Sequence, residues 1–303
     1  MADVSTLAAV RRGRKALRTA FSRGASLFTM LMMNCLLPMV LLAQAPEPAA
    51  PGRRADLGGA VLFVPDTFRP RGDEVDVLLH LHGAPTVIEP AFIEAKRPGV
   101  LIEFNRKGLS RVYAEPFSDR ALFPRLLDAA MQQTRRMGLT EHPKAGKVAV
   151  SSFSAGFGGV RELLKVDDHF ARIDELIMAD SLYAGYEGKP AQRQIDPKLM
   201  EGFRRFALEA AAGRKEFLLT HSAQVPQGYA STTETADFLI HAVEGTARKV
   251  DVRWDDDWVQ TGEFRKGNLV VLGFAGTDGA AHMAHLRKIA GLWSGSPRDA
   301  RSQ

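Results

Sequence analysis

Three short runs in this 303-residue chain are apolar at nearly every position: Val77–Leu81 (VLLHL), Glu175–Ala179 (ELIMA) and Leu269–Phe274 (LVVLGF). A strand with one wet face alternates polar and apolar residues, so unbroken runs of this length need cover on both faces, as in a parallel sheet. Similar runs predict strands over Gly59–Val64, Val75–His82, Val100–Phe104, Lys147–Ser152, Ile173–Ala179, Phe217–Thr220, Lys249–Trp254 and Asn268–Phe274. Helical patterns fall between them, at Leu122–Met137, Ala155–Lys165, Pro197–Ala212, Thr232–Glu244 and Ala281–Trp293. The third is the best punctuated, with Asp196 as N-cap, Pro197 in the first turn and Gly213 as the stop. Strand-helix alternation predicts an α/β fold, a mostly parallel central sheet flanked by helices. Ligands on such sheets bind beyond the C-terminal strand ends, so chemistry is sought there.

The N-terminus has a different character. Residues 1–24 carry six basic side chains and one acid. Taking these from the chain's 40 basic and 35 acidic residues leaves 34 of each, so the net charge of +5 belongs to the first segment. It is therefore poor support for a nucleic-acid partner. Ala25–Leu42 follows as 18 uncharged residues, then Ala43-Gln44-Ala45. Basic segment, apolar core and small-residue site are the order of a secretory signal, and the run is also just long enough to anchor in a membrane. Residues 1–45 are thus expected to export the rest, to the periplasm or beyond, with membrane attachment through residues 25–42 as the alternative to cleavage. The one cysteine, Cys35, lies inside this run, so the exported part has neither disulfides nor a thiol nucleophile. Pro46–Asp56 is Pro/Ala-rich without periodicity and reads as a linker. Residues 57–295 read as the domain and 296–303 as a disordered tail.

Val148–Gly159 (VAVSSFSAGFGG) puts Ser154 where a buried strand turns sharply into a helix, with small residues two before and two after it, Ser152 and Gly156. Such a corner exposes the hydroxyl above the sheet and crowds its neighbours, which is why they must be small. The segment resembles the nucleophile elbow of the α/β-hydrolase family, with Ser152 standing where that family most often has Gly. Upstream, Leu78–Pro85 (LLHLHGAP) ends a strand in His-Gly and resembles the family's oxyanion loop. That resemblance implies the backbone N–H groups of Ala84 and Ala155 as oxyanion donors.

The family order of serine, acid and histidine can then be followed along the chain. Asp180 ends the strand after the elbow and is the better acid, ahead of Glu234 and Asp237. Two histidines remain in the last fifth, His282 and His285. His282, in the loop or first turn of the final helix, is preferred as base. The resemblance, spanning residues 58–293, implies an exported serine hydrolase with Ser154, Asp180 and His282 as catalytic residues. Its substrate would be a small-molecule or peptide ester, with an amide as the second choice, and the insertion Tyr183–Lys215 would form a short cap. No cofactor is expected. Two other readings stay open: a non-catalytic binding protein of the same fold, and a metal-dependent hydrolase built on His80 and His82, whose H-x-H spacing places both rings on one strand face. Trp254–Trp258 (WDDDW) reads as a charged hairpin turn, and His221 and Tyr183 as residues that line the pocket.

Overall fold

The computed structural model describes residues 50–295. The expected signal or anchor, most of the linker's first half and the tail 296–303 lie outside the described residues. Among the described residues, ten strands form one sheet in the order β1-β2-β4-β3-β5-β6-β7-β10-β9-β8. The strands are β1 Gly52–Asp56, β2 Val61–Pro65, β3 Glu74–Leu81, β4 Val100–Phe104, β5 Lys144–Phe153, β6 Glu175–Ala179, β7 Glu216–His221, β8 Arg248–Asp255, β9 Trp258–Lys266 and β10 Leu269–Phe274. The six from β4 to β10 in that order run parallel, while β2, β1, β9 and β8 pair antiparallel at the two margins.

The parallel strands are buried on both faces, as their composition demands. On β3, Val75, Val77, Leu79 and Leu81 join one hydrophobic core and Leu78 joins the other. The first core is covered by α2 (Arg111–Phe117), α3 (Leu122–Arg136), α4 (Phe157–Leu163), α5 (Asp167–Arg172), α6 (Pro197–Ala211) and α7 (Thr232–Ala242). The second is covered by α1 (Pro85–Glu94), α8 (Gly279–Arg287) and α9 (Ile289–Trp293). The Asp196 carboxylate accepts the Lys198 N–H and caps α6 as its sequence predicts.

The structure differs from the sequence expectations at three places. Gly52–Asp56, placed in the linker, is the edge strand β1, paired from Gly52 opposite Pro65 to Asp56 opposite Val61. Its order comes from distant partners that local composition does not show: Arg54 lies over the Phe63 ring at 5.0 Å and pairs with Glu89. The insertion Tyr183–Lys215 is not mainly a cap, because α6 within it is the crossover helix that packs on the sheet between β6 and β7. Only its first part, up to Asp196, is free of the helix layer. The helices α1, α2 and α5 and the strand β9 carry no strong period that would predict them; β9 completes the hairpin whose turn holds Asp256 and Asp257.

Candidate active site

Parallel strands end on one side of a sheet, so the residues after β3, β5, β6, β7 and β10 share a rim. Ser154 follows β5 directly and opens a 3₁₀ turn that leads into α4. Its φ is +47°, a left-handed conformation that costs a non-glycine residue about 1–3 kcal/mol and survives only when the surroundings enforce it. The enforcement is visible. A Cβ on Gly156 would stand 2.4 Å from the Leu81 carbonyl oxygen, and one on Gly158 would stand 2.2 Å from that of Ser110. These glycines let the turn and helix press against β3 and the segment before α2.

Ser152, the departure from the family pattern, has a structural use. The Ser181 hydroxyl donates to the Ser154 carbonyl at 2.9 Å, and Ser152 lies 2.8 Å from Ser181 Oγ. Since Ser181 has only one proton, Ser152 is the donor in that pair. Two buried hydroxyls thus pin the strained corner.

Asp180 follows β6, also left-handed with φ +43°, and is fully buried. Its carboxylate accepts the Ser222 N–H at 2.9 Å, the Ser222 hydroxyl at 2.8 Å, the Thr232 hydroxyl, and His282 Nδ1 at 2.6 Å. Burial opposes ionisation, yet the His282 bond together with the other donors holds this carboxyl well below the usual range. His282 sits in the first turn of α8, behind the Asp278 N-cap, with its ring stacked on Phe153 at 4.6 Å. Donation of Nδ1–H to Asp180 leaves Nε2 as the ring's acceptor. Ser154, Ala155 and His282 line a single cavity of about 490 Å³. No hydrogen bond joins Ser154 Oγ to His282 among the described residues; such contacts commonly tighten only around substrate.

The mostly parallel sheet flanked by helices is the α/β fold that the sequence predicts, and Ser154, Asp180 and His282 each follow one of its parallel strands.

No protein-family model matches the chain, and no curated protein matches it. Solved structures similar to it include TT1662 from Thermus thermophilus, at 17% identity and a TM-score of 0.46, covering 82% of this chain and 99% of that one. A cold-adapted esterase from an Arctic intertidal metagenomic library has 12% identity and a TM-score of 0.42, over 82% and 91%. Thermogutta terrifontis esterase 2, phosphonylated by sarin, has 12% identity and a TM-score of 0.44, over 82% and 96%.

The remaining expected residues fall as follows. Ala155 is the second residue of the 3₁₀ turn and lines the cavity, and an N–H in the first turn of a helix has no intrahelical acceptor. Ala84 is the exposed residue before α1 and is not among the described residues lining that cavity. His285 is fully buried below the rim. Its Nδ1 meets the Thr220 hydroxyl at 2.8 Å, and burial pushes its pKa down to about 4, so it is a neutral core side chain. Glu234 closes a capping box with Ser231 and pairs with Arg193. Tyr183 lines the cavity; His221 instead turns to Thr233 at 2.9 Å.

His80 and His82 do not form a shared donor pair. His80 is fully buried with Nδ1 at 3.1 Å from Ser151 Oγ and Nε2 at 3.2 Å from the His82 carbonyl, and burial lowers its pKa to about 3. His82 turns the other way. The Tyr113 hydroxyl already donates to the Arg106 carbonyl at 2.6 Å, so the 2.6 Å contact from His82 Nδ1 makes that nitrogen the donor. Among the described residues no group of three or more His, Cys, Asp and Glu side chains converges as metal ligands. Sequence reasoning missed Ser181, Ser222, Thr232, Phe153 and Tyr113. Each lies far from its partner in sequence, and Ser and Thr near strand ends and helix starts carry no distinguishing local signal.

Proposed function

We propose that the chain is a serine hydrolase that cleaves carboxylic esters in preference to amides. The supporting observation is the ionised, buried Asp180 bound to His282 Nδ1, on a cavity that Ser154 also lines. In this reading His282 Nε2 takes the Ser154 proton as Oγ bonds to the substrate carbonyl carbon. The carbonyl oxygen becomes an oxyanion, held by the Ala155 N–H. When the C–O bond to the alcohol breaks, His282 returns the proton to the leaving oxygen. Water then gives a proton to His282 and attacks the acyl-Ser154 ester; the carboxylic acid leaves and Ser154 regains its proton. Asp180 keeps the imidazole in the required tautomer and stabilises the imidazolium in each half.

Export, with residues 1–45 as a cleaved signal or retained anchor, is part of the same proposal. Among the described residues no helix is long and apolar enough to cross a membrane. The test uses 4-nitrophenyl esters and a fluorophosphonate label. Wild type is expected to hydrolyse and label, and Ser154→Ala to do neither, with kcat at least about 10³-fold lower. Undiminished turnover by Ser154→Ala, or a wild type that neither turns over nor labels, overturns the assignment; the second outcome favours a binding protein.

A further inference from the structure

The cavity beside Ser154 has an aromatic and aliphatic wall. Phe157, Tyr183 and Tyr229 succeed one another at ring distances of 5.5 and 5.6 Å, and Leu109 stands 81% exposed at its margin. Among its described lining residues one side chain is permanently charged, Arg161. Its Nε is buried without a hydrogen-bond partner, and its nearest carboxylate is the neighbouring Glu162 at 3.9 Å. Glu162 is itself engaged by Lys165, whose Nζ donates to both of its oxygens at 2.7 and 2.8 Å. A guanidinium with a desolvated, unpaired N–H forfeits a hydrogen bond that water would supply, so a partner is to be expected from outside.

The position of Arg161 says where that partner lies. Phe157 and Arg161 are four residues apart on α4, hence on one helix face, and the guanidinium carbon is 5.5 Å from the Phe157 ring centre. Helical side chains lean toward the N-terminus of their helix, which here is the Ser154 turn. Arg161 and Ser154 both line the one cavity.

We infer that Arg161 selects the substrate: the cavity takes esters whose acyl chain ends in a second, ionised carboxylate, gripped by the Arg161 guanidinium while the ester carbonyl lies at Ser154. The planar fork of N–H groups matches a carboxylate, which a lysine ammonium does not. The aromatic wall covers the methylenes between. This inference rests on the hydrolase reading for its reaction, but the anion site itself does not.

The experiment has two arms, both on the full chain. In the first, mono-4-nitrophenyl adipate is compared with 4-nitrophenyl hexanoate, which has the same chain length and no charge. The ratio of their kcat/KM values is expected to favour adipate in wild type, to fall about 10- to 100-fold in Arg161→Gln, and to be partly kept in Arg161→Lys. An equal ratio in wild type and Arg161→Gln overturns the inference. In the second arm, Ser154→Ala protein is titrated calorimetrically with monomethyl adipate and dimethyl adipate. Tighter binding of the monoanion, abolished by adding Arg161→Gln, supports the site; equal binding of the two overturns it. If wild type hydrolyses neither ester while monomethyl adipate still binds through Arg161, the hydrolase reading falls and the anion site stands. Hydrolysis of both esters without discrimination has the opposite meaning.

Discussion

Two buried carboxyl groups end in opposite states. Asp180 on the rim and Glu103 on β4 are 0% and 3% exposed, so dehydration acts on both. Asp180 is held ionised by His282, Thr232 and the hydroxyl and N–H of Ser222. Glu103 is pushed up to about 8, first by burial and then by the adjacent Glu89 carboxylate. Arg54, the cation nearby, is already bound to Glu89. Burial alone therefore does not set the charge of a carboxyl group; the count of donors aimed at it does. The proposed mechanism needs the first outcome, because a neutral acid would not stabilise His282 when it is protonated.

The comparison can be broken at several points. The largest expected effect is Asp180→Asn, which keeps the shape and removes the charge: kcat should fall about 10⁴-fold, whereas Glu103→Gln should leave ester hydrolysis within about twofold of wild type. Comparable losses in both variants would erase the distinction. Next, Thr232→Val removes one donor from Asp180. It should lower stability by about 2 kcal/mol at neutral pH, with the deficit against wild type closing as pH falls through the folded-state pKa of Asp180, where the carboxylate protonates. Denaturant titrations at several pH values give that difference directly; a deficit unchanged by acid would mean lost packing instead.

Glu103 predicts the reverse slope. Its folded-state pKa is raised, so the folded protein binds more protons than the unfolded chain above the ordinary glutamate range. The resulting stabilisation is complete below about pH 4.5 and is lost as pH rises through about 8, amounting to a few kcal/mol at most. Thermal midpoints at pH 5 and pH 8 should differ less in Glu103→Gln than in wild type. The smallest expected effect is Ser181→Ala, which unpins the Ser154 carbonyl; kcat should fall about two- to fivefold with KM nearly constant. A change confined to KM would place Ser181 in substrate binding instead.

Much of the architecture was legible because it depends on local chemistry. The six parallel strands announce themselves as apolar runs, and α3, α6 and α7 as periodic segments with stops or caps. Ser154, Asp180 and His282 could be nominated because each follows an apolar run, and the structure gathers them on one rim. Elements without a strong period, α1, α2, α5, β1 and β9, were not legible. Gly52–Asp56 looks like linker until Arg54 meets Phe63 and Glu89. His285 and His282 are nearly equivalent in sequence, three residues apart. Helical rotation sends one into the core against Thr220 and the other to the rim against Asp180.

What the amino-acid order determined alone is the covered parallel sheet and the set of strand ends where polar residues collect, since alternation, run length and turn chemistry act between near neighbours. Tertiary structure decided the charge on Asp180, the neutrality of His80 and His285, the strain at Ser154 and the unbonded Nε of Arg161. Each of these depends on burial and on the partners that folding brings close, and for Asp180 the donors arrive from 42 to 102 residues away.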